Sequence, residues 1–252
     1  MELVHYEVAR AIATITLDSP HNRNALSMQL VGELADHLAR AAADDAVRAV
    51  VLTHTGTVFC AGADLREQST EGGPEHGTKR MLGLLRTVLE TPKPIVARVD
   101  GAARAGGVGL VGSCDIALAS RGSTFAFTEV RLGLAPAIIS LTTLGRLTER
   151  AAARYCLTGE TFDATAAAAA GLLTVAADDL DAELAGVLTA LRACSPQGLA
   201  ATKPLTTRDA MTRVTAQAEE MRALSARLFA SEEAREGMQA FLEKRPPRWA
   251  AI

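Results

Sequence analysis

The sequence predicts an α/β body followed by a helical C-terminal part. Three observations carry that reading. Short, wholly apolar runs such as Ala49-Val50-Val51-Leu52 and Ile116-Ala117-Leu118-Ala119 have the character of strands buried on both faces. Helical periodicities alternate with them through the first two-thirds of the chain, the order that gives α/β layering. After Ser140 the pattern is mostly helical. We divide the chain at 1–190 and 191–252, and the absence of a Gly/Ser linker predicts that the two parts pack as one unit.

Each element has its own signal. Leu3–Val8 and Ala11–Leu17 read as two strands around a turn at Ala9-Arg10, and a loop follows from Asp18 to Asn22. From Ser27, the residues Leu30, Val31, Leu34, Leu38 and Ala42 recur at helical spacing until Asp44-Asp45. Residues 54–63 read as a Gly-containing loop and 71–77 as a polar one. A helix from about Thr78 to Glu90 stops at Thr91-Pro92-Lys93-Pro94, where proline removes a donor and restricts the residue before it. Ile95-Val96-Ala97 is a strand, a glycine-rich turn leads to a short helix near Ala105, and Phe125-Ala126-Phe127 is a further strand. The Ala166–Ala170 run has high helix propensity, and Ala210–Ala230 is a long amphipathic helix. Ser231 followed by Glu232-Glu233 reads as an N-cap with acids in the first turn, starting another helix.

Composition limits the partners. The 252 residues carry 26 Lys+Arg against 29 Asp+Glu, a formal charge of −3, which lacks the basic excess of a nucleic-acid binder. No uncharged apolar stretch reaches the roughly 18 residues of a membrane span. The N-terminus lacks the basic and apolar regions of a signal peptide, so a cytoplasmic location is expected. Cys60, Cys114, Cys156 and Cys194 show no zinc spacing and read as small hydrophobes in a reducing compartment. The five histidines form no metal-binding pair, so no metal site is expected.

Three stretches could carry chemistry. In Phe59-Cys60-Ala61-Gly62-Ala63-Asp64-Leu65 an apolar strand runs through small residues into a helix start. Backbone N–H groups at such a turn can hold an oxygen bearing negative charge, although a plain tight turn explains it equally well. Val99–Gly109 repeats the arrangement through Gly106-Gly107, without the full dinucleotide-binding fingerprint. In Phe127-Thr128-Glu129-Val130 a carboxylate follows an aromatic strand, where burial could tune it as a general base. Taken alone, Glu129 reads more simply as a surface carboxylate paired with Arg131.

Together with Asn22–Leu26, Lys93–Ala97, Cys114-Asp115-Ile116, Leu157-Thr158-Gly159 and Ala170-Gly171-Leu172, these motifs occur in the order found in the crotonase superfamily, the enoyl-CoA hydratase/isomerase family, which the chain resembles over nearly its whole length. The resemblance implies a crotonase-like spiral of strand–strand–helix units with a helical C-terminal trimerisation region, assembled as a homotrimer or a dimer of trimers. It implies an acyl-CoA thioester substrate, with no separate cofactor because coenzyme A is part of the substrate. The thioester oxygen would lie between the backbone N–H groups of Ala61 and Gly106. Arg23, Ala25, Ala63, Asp64, Leu65, Arg66 and Gly107 would line the CoA ester, and Lys244 would serve a neighbouring subunit's CoA.

One departure from the family pattern stands out. Two-glutamate hydratases carry a second carboxylate at the place taken here by Gly109, so only Glu129 matches. One carboxylate is compatible with hydration of a 2-enoyl-CoA, a lyase reaction, in which Glu129 activates water and delivers the Cα proton. It is also compatible with Δ3/Δ2 isomerisation by a single base, or with a CoA-ester binder of little activity. Glu67, Glu71 or Glu75 could fold over to replace the missing group.

Overall fold

The computed structural model describes residues 2–68 and 73–250. Two sheets organise it. The first is six-stranded, in the order β1 (Val4–Ala9), β2 (Ile12–Leu17), β3 (Ala49–His54), β5 (Ile95–Val99), β7 (Ile116–Ser120) and β10 (Val175–Ala177). β1 and β2 form an antiparallel hairpin, turning at Arg10 and Ala11 with φ of 50° and 63°, and the remaining pairs are parallel. The second sheet runs β4 (Val58–Cys60), β6 (Ala102–Arg104), β8 (Thr124–Ala126) and β9 (Phe162–Asp163), with the first three parallel and β9 antiparallel.

α1 and α11 begin at the caps the sequence marks, and other helices differ in extent. α1 (Met28–Ala43) begins at Ser27, whose side chain accepts from Leu30 N, and it buries Leu30, Val31, Leu34 and Leu38 against the first sheet. α2 (Leu65–Gln68) is a single turn. α3 spans Gly73–Glu90, so residues 73–77, expected as part of a polar loop, lie in the helix, while Glu71 lies outside the described residues. α4 (Gly106–Ser113) and α7 (Ala164–Ala170) pack on the second sheet, α5 (Ala137–Thr143) lies against α4, and α6 (Glu149–Thr158) lies against the turn that follows β8. α8 (Leu180–Ala193) packs Leu184 and Leu191 onto the first sheet, and α9 (Pro196–Thr206) buries Lys203. α10 (Arg208–Phe229) lies against α3 and α5, with Val214 and Ala210 packed on Leu89 and Leu141. α11 (Glu232–Leu242) starts at Ser231, whose side chain accepts from Ala234 N.

The few aromatic residues concentrate beneath the second sheet. Phe125 and Phe127 are fully buried beside Phe162, which stacks on Tyr155 at 3.9 Å between ring centroids. Offset aromatic contacts of this kind stiffen the layer under the loops that leave β8. Among the described residues no helix is long and apolar enough to cross a membrane.

Candidate active site

The second sheet determines which loops meet. Its three parallel strands end on the same edge, with Cys60 paired to Ala103 and Arg104 to Ala126. The chain therefore leaves β4 at Ala61–Asp64, β6 at Ala105-Gly106 and β8 at Phe127–Glu129, three neighbouring turns at the carboxyl ends of adjacent strands. Ligand sites favour that edge of a parallel sheet.

The first two turns are in direct contact. Gly62 has φ of +91°, and a Cβ there would sit 2.9 Å from the Ala105 methyl and 3.2 Å from Gly106 N. A side chain at Gly107 would meet Cys60 O at 2.4 Å, so this position accepts no larger residue without moving β4. Ala105 adopts φ of +46°, an uncommon conformation for a residue with a Cβ, and it places Gly106 at the start of α4. The Gly106 N–H is the first donor of that helix and has no partner of its own inside it.

The structure corrects one assignment made from the sequence. The Ala61 N–H donates to Arg23 O at 3.0 Å, so it is consumed in holding the 22–26 loop and cannot also serve an oxyanion. The chain then reverses its facing at Gly62. Leu26 N donates to Gly62 O at 2.8 Å, and Leu26 and Ala63 form an isolated parallel bridge. Such a bridge uses the groups on either side of Ala63 and leaves its own N–H outside the ladder. Ala63 is exposed, and among the described residues its N–H has no acceptor. Among the described residues, the N–H of this turn left without an acceptor is therefore that of Ala63 rather than Ala61.

Sequence reasoning also missed the residue that fixes these loops together. Asn24 is fully buried and its side chain donates to Val58 O at 2.7 Å and Thr55 O at 3.1 Å while accepting from Ser19 N at 2.7 Å. Its place in the Asn22–Leu26 motif was visible, but the anchoring role was not. Ala25 is buried, Leu65 and Asp64 are half-buried, and Asp64 accepts from Arg66 N at 3.0 Å. Arg23 and Arg66 both have exposed side chains flanking the Ala61–Asp64 turn. Lys244 stands apart from them in sequence and fold, exposed just beyond α11 with φ of +55°.

Glu129 occupies a 3-10 turn, Thr128–Leu132, that follows β8. Its Oε2 is sealed from solvent and has no hydrogen-bond partner among the described residues, and burial pushes the carboxyl up to about 7. Arg131 does not pair with it, because the Arg131 guanidinium donates to Thr158 O at 3.3 Å. A buried carboxyl that titrates near neutrality can both take and give a proton. The thiol that feels Glu129, Cys156, is pushed up to about 11 by burial and then by that carboxylate, and burial pushes Cys60 and Cys114 up to about 12, so all three stay protonated at neutral pH. Among the described residues no cluster of His, Cys, Asp and Glu could hold a metal ion.

The place of the absent second carboxylate is filled. A Cβ at Gly109 would lie 2.4 Å from Ile139 Cγ2 and 2.8 Å from Ile139 Cβ, with Met81 Cε at 3.3 Å. Met81 Cε also comes within 3.5 Å of a Cβ built on Gly106, and Leu26 Cδ1 within 3.1 Å. Leu26, Met81 and Ile139 thus wall the first turn of α4 with apolar atoms. Neither described glutamate of the following segment is poised to compensate. Glu67 accepts from Met28 N at 2.7 Å at the start of α1, and Glu75 pairs with Arg222 at 3.4 Å.

Comparison with known proteins establishes the family. The family model for enoyl-CoA hydratase/isomerase matches residues 7–251. The crystal structure of an enoyl-CoA hydratase from Mycobacterium avium is 52% identical and superposes with a TM-score of 0.92, covering 98% of each chain. A provisionally named enoyl-CoA hydratase of Thermus thermophilus is 36% identical over 247 residues, covering 94% of this chain and 97% of that one. A mevalonyl-coenzyme A hydratase of Aspergillus fumigatus is 34% identical over 253 residues, covering 94% and 91%. The chain belongs to the enoyl-CoA hydratase/isomerase family of the crotonase superfamily.

Proposed function

We propose that the protein hydrates a 2-enoyl-CoA thioester with Glu129 as its single acid/base. The observation that carries this reading is the buried Glu129 carboxyl, its Oε2 without a partner among the described residues, on the turn that leaves β8, next in the sheet to the strands whose ends carry Ala63 and Gly106. The thioester oxygen accepts from Gly106 N and Ala63 N. Both donors are fixed before the substrate arrives, so they stabilise negative charge as it develops on that oxygen. Ionised Glu129 takes a proton from water, the hydroxide adds to Cβ and the electrons of the double bond move into a thioester enolate. Protonated Glu129 then returns the proton to Cα, and the sum is addition of one water. A carboxyl near 7 suits this double duty at neutral pH.

Exposed Arg23 and Arg66 supply positive charge for the CoA phosphates, and Lys244 would do so for a neighbouring subunit in a homotrimer or dimer of trimers. Such charges affect binding more than chemistry, so their loss should raise KM with kcat little changed.

A second reading, Δ3/Δ2 isomerisation, is favoured by the apolar wall at Gly109. Isomerisation needs one base to carry a proton between Cα and Cγ and no positioned water. The test is Glu129→Gln assayed on a 2-enoyl-CoA and on a 3-enoyl-CoA. Turnover of the true substrate should fall at least about 10²-fold. Tight CoA-ester binding by the unaltered protein with no turnover of either substrate would leave a binding protein instead.

A further inference from the structure

The C-terminal helix makes a contact that neither the family reading nor the proposed reaction accounts for. α11 packs against the 3-10 turn that carries Glu129, and the contact is backbone to backbone in both directions. A Cβ on Gly237 of α11 would lie 2.5 Å from Leu132 C and 2.6 Å from Leu132 O. A Cβ on Gly133, at the end of the turn, would lie 2.6 Å from Glu233 C and 2.7 Å from Ala234 N. Glycines at both points let the two main chains approach closer than any other residue allows. Gly133 N and Leu134 N in turn donate to Glu129 O, the latter at 3.0 Å, so the contact is tied directly to the Glu129 backbone.

Next to Gly237, Glu236 is 7% exposed and gathers the tail that follows α11. Arg245 binds it with both arms, at 2.7 and 3.2 Å, and Arg248 adds its N–H at 2.9 Å and its Nε at 3.3 Å. Two-armed guanidinium–carboxylate pairs are the geometrically specific ones. On the opposite side, α6 grips the same turn: Val130 Cγ1 and Arg131 Cγ both lie 3.0 Å from a Cβ built on Gly159.

We propose that α11 is a positioning element for Glu129, seated by the backbone contacts of Gly133 with Glu233 and Ala234 and of Gly237 with Leu132, and latched by Glu236 through Arg245 and Arg248. The catalytic consequence rests on the reading of Glu129 as acid/base, whereas the structural coupling does not. The titratable groups around the turn are Arg131 on the turn, Cys156 on α6, and Glu233 and Glu236 on α11. Cys156 is the one whose own titration registers Glu129, being pushed up to about 11 by burial and then by that carboxylate.

The test uses Glu236→Gln and Gly237→Ala with two readouts that need no substrate. Trp249, the single tryptophan, follows Arg248 and reports by fluorescence whether the tail is seated. Carboxyl-carbon NMR, with Glu129→Gln supplying the assignment, reports the Glu129 midpoint. Unlatching should change Trp249 emission and move that midpoint down from about 7 as water reaches Oε2. It should lower kcat about 10- to 100-fold with KM nearly constant, the cost of a misplaced acid/base. Arg86→Gln, which breaks the distant exposed pair with Glu90, should change none of these readouts.

A seated-to-free change at Trp249 with an unmoved Glu129 midpoint overturns the positioning role. No change at either group in both variants overturns the latch. If Gly237→Ala does not fold, Glu236→Gln decides alone. A moved midpoint in protein that turns over no enoyl-CoA would leave the coupling standing and refute the proposed reaction.

Discussion

Gly109 and Ile139 should behave as one packing unit, and a double-mutant cycle measures it. A methyl added at Gly109 would sit 2.4 Å from Ile139 Cγ2, whereas carbon atoms rest at about 3.5–4.0 Å. The overlap exceeds 1 Å in a place with little slack, because Ile139 is 3% exposed and Thr142 Oγ1 bonds Gly109 O at 3.0 Å. Overpacking of this kind costs about 1–3 kcal/mol, and removing a helical glycine returns about 1 kcal/mol. Gly109→Ala alone should therefore destabilise by about 0–2 kcal/mol. Ile139→Ala alone should cost about 2–5 kcal/mol by opening a cavity. In the double variant the new methyl enters space that Cγ2 vacated, although the Ile139 Cβ at 2.8 Å remains, so relief is partial. The two changes should couple favourably by about 1 kcal/mol or more in urea unfolding at constant m. Additivity within about 0.5 kcal/mol would refute the claim that Ile139 fills the position. The same geometry predicts that Gly109→Glu alone supplies no working second carboxylate.

Glu129 should weaken the fold where it is useful. Its carboxyl is raised from 4.5 to about 7, so the folded protein holds a proton that the unfolded chain releases. Stability should fall as pH rises from about 4.5 through about 7, and Glu129→Gln should be more stable than the parent at pH 8 by up to about 3 kcal/mol and nearly equal at pH 4; equal stability at both pH values would contradict the burial. Glu236 shifts the other way, held at about 2 by its Arg245 hydrogen bonds, so the latch contributes above pH 4.5 and is lost as pH falls toward 2. Trp249 fluorescence should follow that acid release with a midpoint near pH 2, and a spectrum unchanged down to about pH 1 would contradict it. Ala63→Pro deletes the assigned oxyanion donor and should lower kcat about 10²–10³-fold. Ala61→Pro deletes the bond to Arg23 O and should act first on stability, so the reverse pattern would return the donor role to Ala61.

The longer elements were legible because each had a periodicity or a punctuation mark. Ser27 and Ser231 cap α1 and α11, and the apolar runs became β3, β5 and β7. β4, β6 and β10 have three residues each and β9 two, too short to show alternation, so the loop expected at 54–63 hides β4 and the glycine-rich turn hides β6. The site was legible as three motifs, and its finer geometry was not. Ala61 and Ala63 are equivalent by composition, and only the positive φ at Gly62 decides which N–H is turned away from Arg23. Ile139 fills the Gly109 position from 30 residues away, on a helix the sequence did not delimit. Gly133 and Gly237 carry no motif, and the close approaches they allow, to Glu233–Ala234 and to Leu132, exist only once α11 has docked.

The central claim is that one buried carboxyl and two backbone donors add water to a conjugated thioester. The most direct measurement is the enoyl-thioester absorbance of crotonyl-CoA and of a 3-enoyl-CoA, followed side by side with the unaltered protein and with Glu129→Gln. The account predicts that absorbance decays on crotonyl-CoA with the unaltered protein, and that Glu129→Gln slows this at least about 10²-fold. Absorbance that instead grows on the 3-enoyl-CoA, with crotonyl-CoA unchanged, would contradict hydration and make the protein an isomerase.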